Sequence, residues 1–131
     1  MNLVRLAKMA AKEAHAGQKR NVSGEDYYIH CLRVFNILKA RGERDAVLIA
    51  ALLHDVIEDT PWEHADVKAM FGQEVADLVV ECSKPYDKLH SKDALKIKFA
   101  DLLDNVSDKP SEAWIKRKCD AIRNSSSESI K

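Results

Sequence analysis

The stretch AALLHDVIEDT, residues 50–60, sets four ionisable side chains directly behind AVLIAALL, a run with the composition of buried core. These are His54, Asp55, Glu58 and Asp59. Charged groups are rarely buried unless they are paired or bound to a metal. A salt-bridge cluster is the main alternative to a site, and the segment holds no Lys or Arg to build one. The run and its polar end read as one central helix over 44–58, apolar nearly all round and therefore the most buried of the chain. On a helix, residues four apart share a ridge. His54 and Glu58 then lie on one ridge, Asp55 and Asp59 on the next. His54 and Asp55 point about 100° apart, which leaves room for a metal ion between them.

Two other segments repeat the pattern of a polar group amid core. In ALKIKFADLLDNV, residues 94–106, Asp101, Asp104 and Asn105 share a helical face. In YYIHCLRVF, residues 27–35, His30 stands among apolar neighbours. The economical account of three such helices is that the groups meet around a divalent cation. Imidazole with carboxylate suits manganese, iron, zinc or similar ions, and geometry alone does not choose among them. Such an ion polarises a phosphoryl oxygen and lowers the pKa of water.

The rest of the chain reads as helical. Residues 2–16 put Leu3, Leu6, Ala10 and Ala14 on one face, with Gly17 at the exit. GQKRNVSGE, 17–25, is a polar loop, and a helix over 27–41 ends at Gly42. Thr60-Pro61-Trp62-Glu63 has the form of a capping box with proline at the first helical position, opening a short helix that stops at Phe71-Gly72. Residues 73–82 form another helix, with Val75, Leu78, Val79 and Cys82 facing inward. Ser91 caps a helix over 92–106. Pro110-Ser111 opens a last helix with Trp114, Ile115 and Ile122, and NSSSESIK is a polar tail. No period-two strand pattern stands out.

At 131 residues and 46% apolar content the chain suits one domain, expected over 1–123 with 124–131 as the tail. Its 21 basic and 21 acidic residues cancel, which argues against broad attraction to nucleic acid or an anionic membrane. No apolar run approaches the roughly 20 residues of a membrane span. The N-terminus is amphipathic rather than a signal peptide. Cys31, Cys82 and Cys119, odd in number and far apart, are expected as reduced thiols in the cytoplasm and fit no structural zinc spacing.

The order His30, His54-Asp55, Asp101 resembles the H…HD…D pattern of HD-domain phosphohydrolases. More specifically, HAGQKRNVSGEDYYIH, AALLHDVIEDT, FGQEVADLV and IKFADLLDN are similar to successive blocks of the RelA/SpoT hydrolase domain and of the small stand-alone alarmone hydrolases. The resemblance covers about residues 5–106. It implies an all-α, single-domain helical bundle with one divalent ion, typically manganese, between central helices. It implies removal of the 3′-pyrophosphate from ppGpp and pppGpp to give GDP and GTP. Carried over, His30, His54, Asp55 and Asp101 hold the metal, and Glu58 and Asp59 orient and deprotonate the attacking water. Arg20 contacts the nucleotide by stacking or by pairing with phosphate, and Asn105 lines the nucleoside pocket. No synthetase part is present, so degradation of the alarmone is expected rather than synthesis.

The chain also departs from that pattern. Asp26 and Cys31 stand where the family has prolines, and the loop before His30 is about one residue longer. Ser107-Asp108 replaces an arginine, and the stretch between Lys84 and Lys98 is short. In that stretch Lys84, Lys88, His90, Lys92 and Lys96 are the candidates for phosphate contact. Two other functions remain open at this level: an HD phosphohydrolase for another nucleotide, and a catalytically silent nucleotide-binding domain. Oligomeric state is not encoded legibly.

Overall fold

A computed structural model describes residues 2–85 and 88–107, with 113, 116, 117, 119–121 and 123 beyond them. Among the described residues the chain is all-α: α1 (Leu3–Ala14), α2 (Tyr27–Ala40), α3 (Asp45–Leu52), α4 (Val56–Asp59), α5 (His64–Phe71), α6 (Gln73–Cys82) and α7 (Lys92–Ser107). The helix expected from Pro110, with Trp114, Ile115 and Ile122, and the tail 124–131 lie outside the described residues.

Local chemistry explains most of the boundaries. Asn2 caps α1, its side chain accepting from the Val4 and Arg5 amides. Gly17 and Gly42 follow α1 and α2 with φ of 83° and 76°, a left-handed conformation that glycine adopts without steric cost. Ser91 caps α7, its hydroxyl accepting from Ala94 N–H at 3.0 Å. α3 is the hub, packed by α1, α2, α6 and α7. Every residue from Val47 to Leu53 is buried. Burying one such aliphatic side chain contributes about 1.5–3 kcal/mol.

Two expected boundaries need correction. The central helix does not run through 44–58: it ends at Leu52, turns through 53–55 and resumes as α4. The cause lies in the sequence. The Ala51 carbonyl accepts from the His54 amide at 3.4 Å and from His54 Nδ1 at 2.7 Å. In a continuing α-helix that carbonyl would accept from Asp55 N–H. The imidazole therefore competes for the helical acceptor, and the turn tightens at His54-Asp55. The second correction concerns α5, which begins at His64 rather than after Pro61. Its capping box is Glu63 with Asp66, whose carboxylate accepts from Glu63 N–H at 2.8 Å. The Thr60 hydroxyl instead bonds back to Val56 O and accepts from Trp62 N–H, closing α4.

Candidate metal centre

Three elements meet at the polar strips. α2 contributes His30, the turn after α3 contributes His54 and Asp55, and α7 contributes Asp101. One ligand atom from each of these four residues lies within 4.8 Å of the others. His54 Nε2 is 2.9 Å from Asp55 Oδ2 and 3.0 Å from Asp101 Oδ1. His30 Nε2 is 2.8 Å from Asp101 Oδ1 and 3.9 Å from Asp55 Oδ2. The imidazoles are fully buried and the two carboxylates are 13% exposed.

The donor set fits a divalent ion on two counts. Each histidine has its Nδ1 engaged by an acceptor, Ala51 O for His54 and Asp104 Oδ2 for His30, so each turns Nε2 toward the shared centre. Engaging the outer nitrogen in this way is how proteins orient metal-binding histidines. Two carboxylates also supply the charge that a divalent cation balances. Two nitrogen and two oxygen donors suit the transition ions rather than calcium or magnesium.

The electrostatics are those of a site under tension. For Asp101 and Asp55, burial alone would raise the pKa. Contact with His54, joined at Asp101 by His30, overrides it and holds both below the usual carboxylate range. Burial likewise opposes protonation of His54 and His30, yet the facing carboxylates raise both above the ordinary imidazole value. Glu58 and Asp59 go the other way. Burial first, then repulsion from Asp55, raises both carboxyls. Half-buried Lys98, one turn before Asp101 on α7, opposes the rise at Glu58. Tyr27 donates to Asp55 Oδ2 in a short hydrogen bond, and its own hydroxyl is held protonated by burial and by that carboxylate. His15, buried at the end of α1, lies against the Tyr27 ring at 4.8 Å and donates from Nδ1 to Gln18 Oε1 at 2.8 Å.

Arg20 and Asn105 lie together rather than apart. Arg20 is buried, with Nη1 donating to Asp104 Oδ2 at 3.0 Å and Nη2 to Asn105 Oδ1 at 3.1 Å. Two of the five basic candidates of the short stretch, and none of the four candidate ligands, line one cleft. Lys84 and His90 line a cleft of about 660 Å³ with Arg44, His64 and Asp93 around the start of α7. Lys96 pairs with Glu43 at 3.1 Å. Asp101 lies about 14 Å further along the helix axis than the first residue of α7.

The family model for the HD domain matches residues 7–109, most of the chain. The chain belongs to the HD-domain family. Among relatives of this HD domain, the bifunctional (p)ppGpp synthase/hydrolase SpoT of Escherichia coli K12 is 47% identical over 90 residues, 69% of this chain. The guanosine-3′,5′-bis(diphosphate) 3′-pyrophosphohydrolase of Aquifex aeolicus is 39% identical over 113 residues, 73% of this chain. The chain spans only 12% and 16% of the lengths of those two proteins. A solved structure of a metazoan ortholog of SpoT that hydrolyses ppGpp superposes with a TM-score of 0.77 at 25% identity, over 95% of this chain and 84% of that one.

Around this HD centre, sequence pattern gives no individual role to Tyr27, Lys98 or Asp104. Asp104 was legible as a third polar group on the Asp101 face of α7. That it turns toward His30 depends on how α2 and α7 cross, which no local pattern records. Tyr27 and Lys98 looked like ordinary members of an amphipathic helix.

Proposed function

We propose that the chain is a metal-dependent phosphohydrolase that removes the 3′-pyrophosphate from ppGpp and pppGpp, giving GDP and GTP. The observation that carries this reading is the convergence of His30, His54, Asp55 and Asp101, with Glu58 and Asp59 one turn further along the same segment. Relatives at 39–47% identity that carry this activity in their names support the substrate. His30, His54, Asp55 and Asp101 would hold the ion, manganese on the family resemblance. When bound, it supplies Lewis acidity toward a phosphoryl oxygen.

The chain's own residues supply the proton chemistry. Glu58 and Asp59 carry carboxyls raised toward neutrality by burial and by Asp55, the direction that makes a carboxylate a better base. Glu58 or Asp59 takes a proton from the attacking water. The water oxygen bonds to the phosphorus on the 3′ oxygen, the phosphorus–O3′ bond breaks, and the 3′ oxygen leaves with the proton that the carboxylate took up. Arg20 and Asn105, tied to each other beside His30, border the nucleotide side. The catalytic unit is the domain over 1–123, and we place it in the cytoplasm. Among the described residues no helix is long and apolar enough to cross a membrane, and Cys31, Cys82 and Cys119 are free thiols.

The test is product analysis of purified protein with ppGpp and manganese, with EDTA and Asp55→Ala as controls. Metal-dependent release of GDP and intact pyrophosphate supports the reading. Bound metal without turnover of ppGpp overturns the substrate, and a panel of other nucleotides then identifies it.

A further inference from the structure

Asp104 lies outside the four-ligand group, yet it is the most connected carboxylate beside it. Its side chain is 5% exposed. One oxygen, Oδ2, accepts from two donors: His30 Nδ1 at 2.7 Å and Arg20 Nη1 at 3.0 Å. Arg20 Nη2 also reaches the Asp104 carbonyl at 3.4 Å and Asn105 Oδ1 at 3.1 Å. The other carboxylate oxygen faces the Ser107 hydroxyl at 3.4 Å and Arg33 Nε at 4.0 Å.

The two ligand histidines are therefore oriented by different means. His54 Nδ1 donates to a backbone carbonyl, a neutral acceptor fixed by α3. His30 Nδ1 donates to an ionised carboxylate that an arginine shares. A carboxylate behind an imidazole fixes its tautomer and raises its basicity as a ligand more than a neutral acceptor does. Arg20 comes from the loop between α1 and α2, which is otherwise tied down by the bridge between Lys19 and Asp26 and by Arg20 N–H donating to Glu25 O at 2.9 Å. One oxygen atom thus joins that loop to a metal ligand.

We infer that Asp104 is a positioning residue that sets the metal affinity of the His30 arm and couples it to the Arg20 loop. The inference rests on the metal reading of His30, His54, Asp55 and Asp101. Asp104 holds the hydrogen on His30 Nδ1 and leaves the Nε2 lone pair to the ion. Arg20 neutralises part of the Asp104 charge and fixes the carboxylate in place. A displaced Arg20 changes the metal centre without touching a ligand, and a bound ion stiffens the loop that borders the nucleotide.

The experiment measures manganese binding by the loss of the free-ion electron paramagnetic resonance signal, in wild type, Asp104→Ala, Asp104→Asn, Arg20→Ala and the Arg20→Ala/Asp104→Ala double variant. Asp104→Ala is expected to weaken binding about 10- to 100-fold, the scale of lost outer-shell partners. Asp104→Asn, which keeps an oxygen acceptor without the charge, should fall between it and wild type. Arg20→Ala should weaken binding about 2- to 10-fold, and that effect should vanish in the Asp104→Ala background, as expected for two groups in one network. Ring nitrogen shifts of the zinc-loaded protein add a readout that a general loss of structure would not give. In Asp104→Ala only the His30 Nδ1–H signal should change, with His54 unaltered. Binding of wild-type strength in folded Asp104→Ala or Asp104→Asn overturns the inference, and so do additive effects of Arg20 and Asp104. A wild type that takes up no manganese overturns the metal reading itself, a result separate from either.

Discussion

Asp55 and Glu58 are one helical turn apart, and their carboxyls are pushed in opposite directions. Asp55 is held ionised by His54 and by the Tyr27 hydroxyl, as a metal ligand must be. Glu58 is raised by burial and by the Asp55 charge, as a proton acceptor working near neutrality should be. Two substitutions separate these roles. Asp55→Ala should abolish metal binding, and metal analysis showing full occupancy in that variant would rule the ligand out. Glu58→Gln should keep the metal and lose about 10²-fold or more in turnover, the scale of positioned acid–base catalysis. Glu58→Gln should also stabilise the metal-free protein at pH 7. A carboxyl whose folded pKa is raised favours folding while protonated, and that contribution is lost as pH rises through the folded value. At pH 7 ionised Glu58 therefore opposes folding, and the neutral amide does not. Glu58 is only partly shielded from water and its side chain stays exposed at the surface, so the gain after screening is a few tenths of a kcal/mol at most. Urea midpoints without metal test the sign. At this scale the sequence was informative because burial and charge conflict inside eleven residues. Asp104 and Tyr27 carried no such conflict, since their partners lie 74 and 28 residues away in the chain.

Three of the four candidate ligands come from the turn that ends α3 and from α7, and each of these helices is fixed by a side chain that takes over backbone hydrogen bonding. In α3 this is His54, whose ring claims the Ala51 carbonyl and ends the helix. Periodicity predicts a helix straight through this point because every residue from Val47 to Leu53 is apolar, and a turn inside a buried run leaves no polar signature. At the start of α7 the same work falls to Glu81 of α6. Its Oε2 accepts from His90 N–H at 3.1 Å, Ser91 N–H at 2.9 Å and the Ser91 hydroxyl at 3.0 Å. The Ser91 cap was legible as a serine before an apolar-periodic run. The buried carboxylate that holds it was not, because Glu81 falls in a helix read only for its apolar face. Glu81→Ala should cost about 1–3 kcal/mol through the donors it strands, and Ser91→Ala about 1 kcal/mol through the lost cap. Chemical denaturation of both variants checks the order. A Glu81→Ala protein as stable as wild type would mean that solvent replaces the carboxylate and that α7 is held by packing alone.

At the scale of the whole molecule, the fold was legible because nearly every helix announces its buried face and its ends, and the family blocks arrive in order. How α2, α3 and α7 converge was legible only through the assumption that their polar groups share a ligand. That convergence makes the stability of the protein depend on pH in a way that the ion should reverse. Without metal, His30 and His54 have folded pKa values raised above the unfolded value of about 6.5. Their contribution is fully present below that value and is lost as pH rises through the folded ones. Asp55 and Asp101 are lowered, so their contribution is present above the ordinary carboxylate range and is lost only as pH falls below it. The metal-free protein should therefore be most stable in mildly acidic solution, between those limits, and weaken toward pH 9. A divalent ion needs both imidazoles unprotonated, so it takes the place of their protons and binding releases them. The rise in Tm on adding manganese should then grow between pH 6 and pH 8, and calorimetry in buffers of different ionisation enthalpy should register proton release. A rise in Tm that shrinks over that interval, or binding with no proton release, would mean that the two histidines are already neutral without the ion. The carboxylates would then repel one another unrelieved, and metal-free protein would be least stable just where the histidines had been expected to support it.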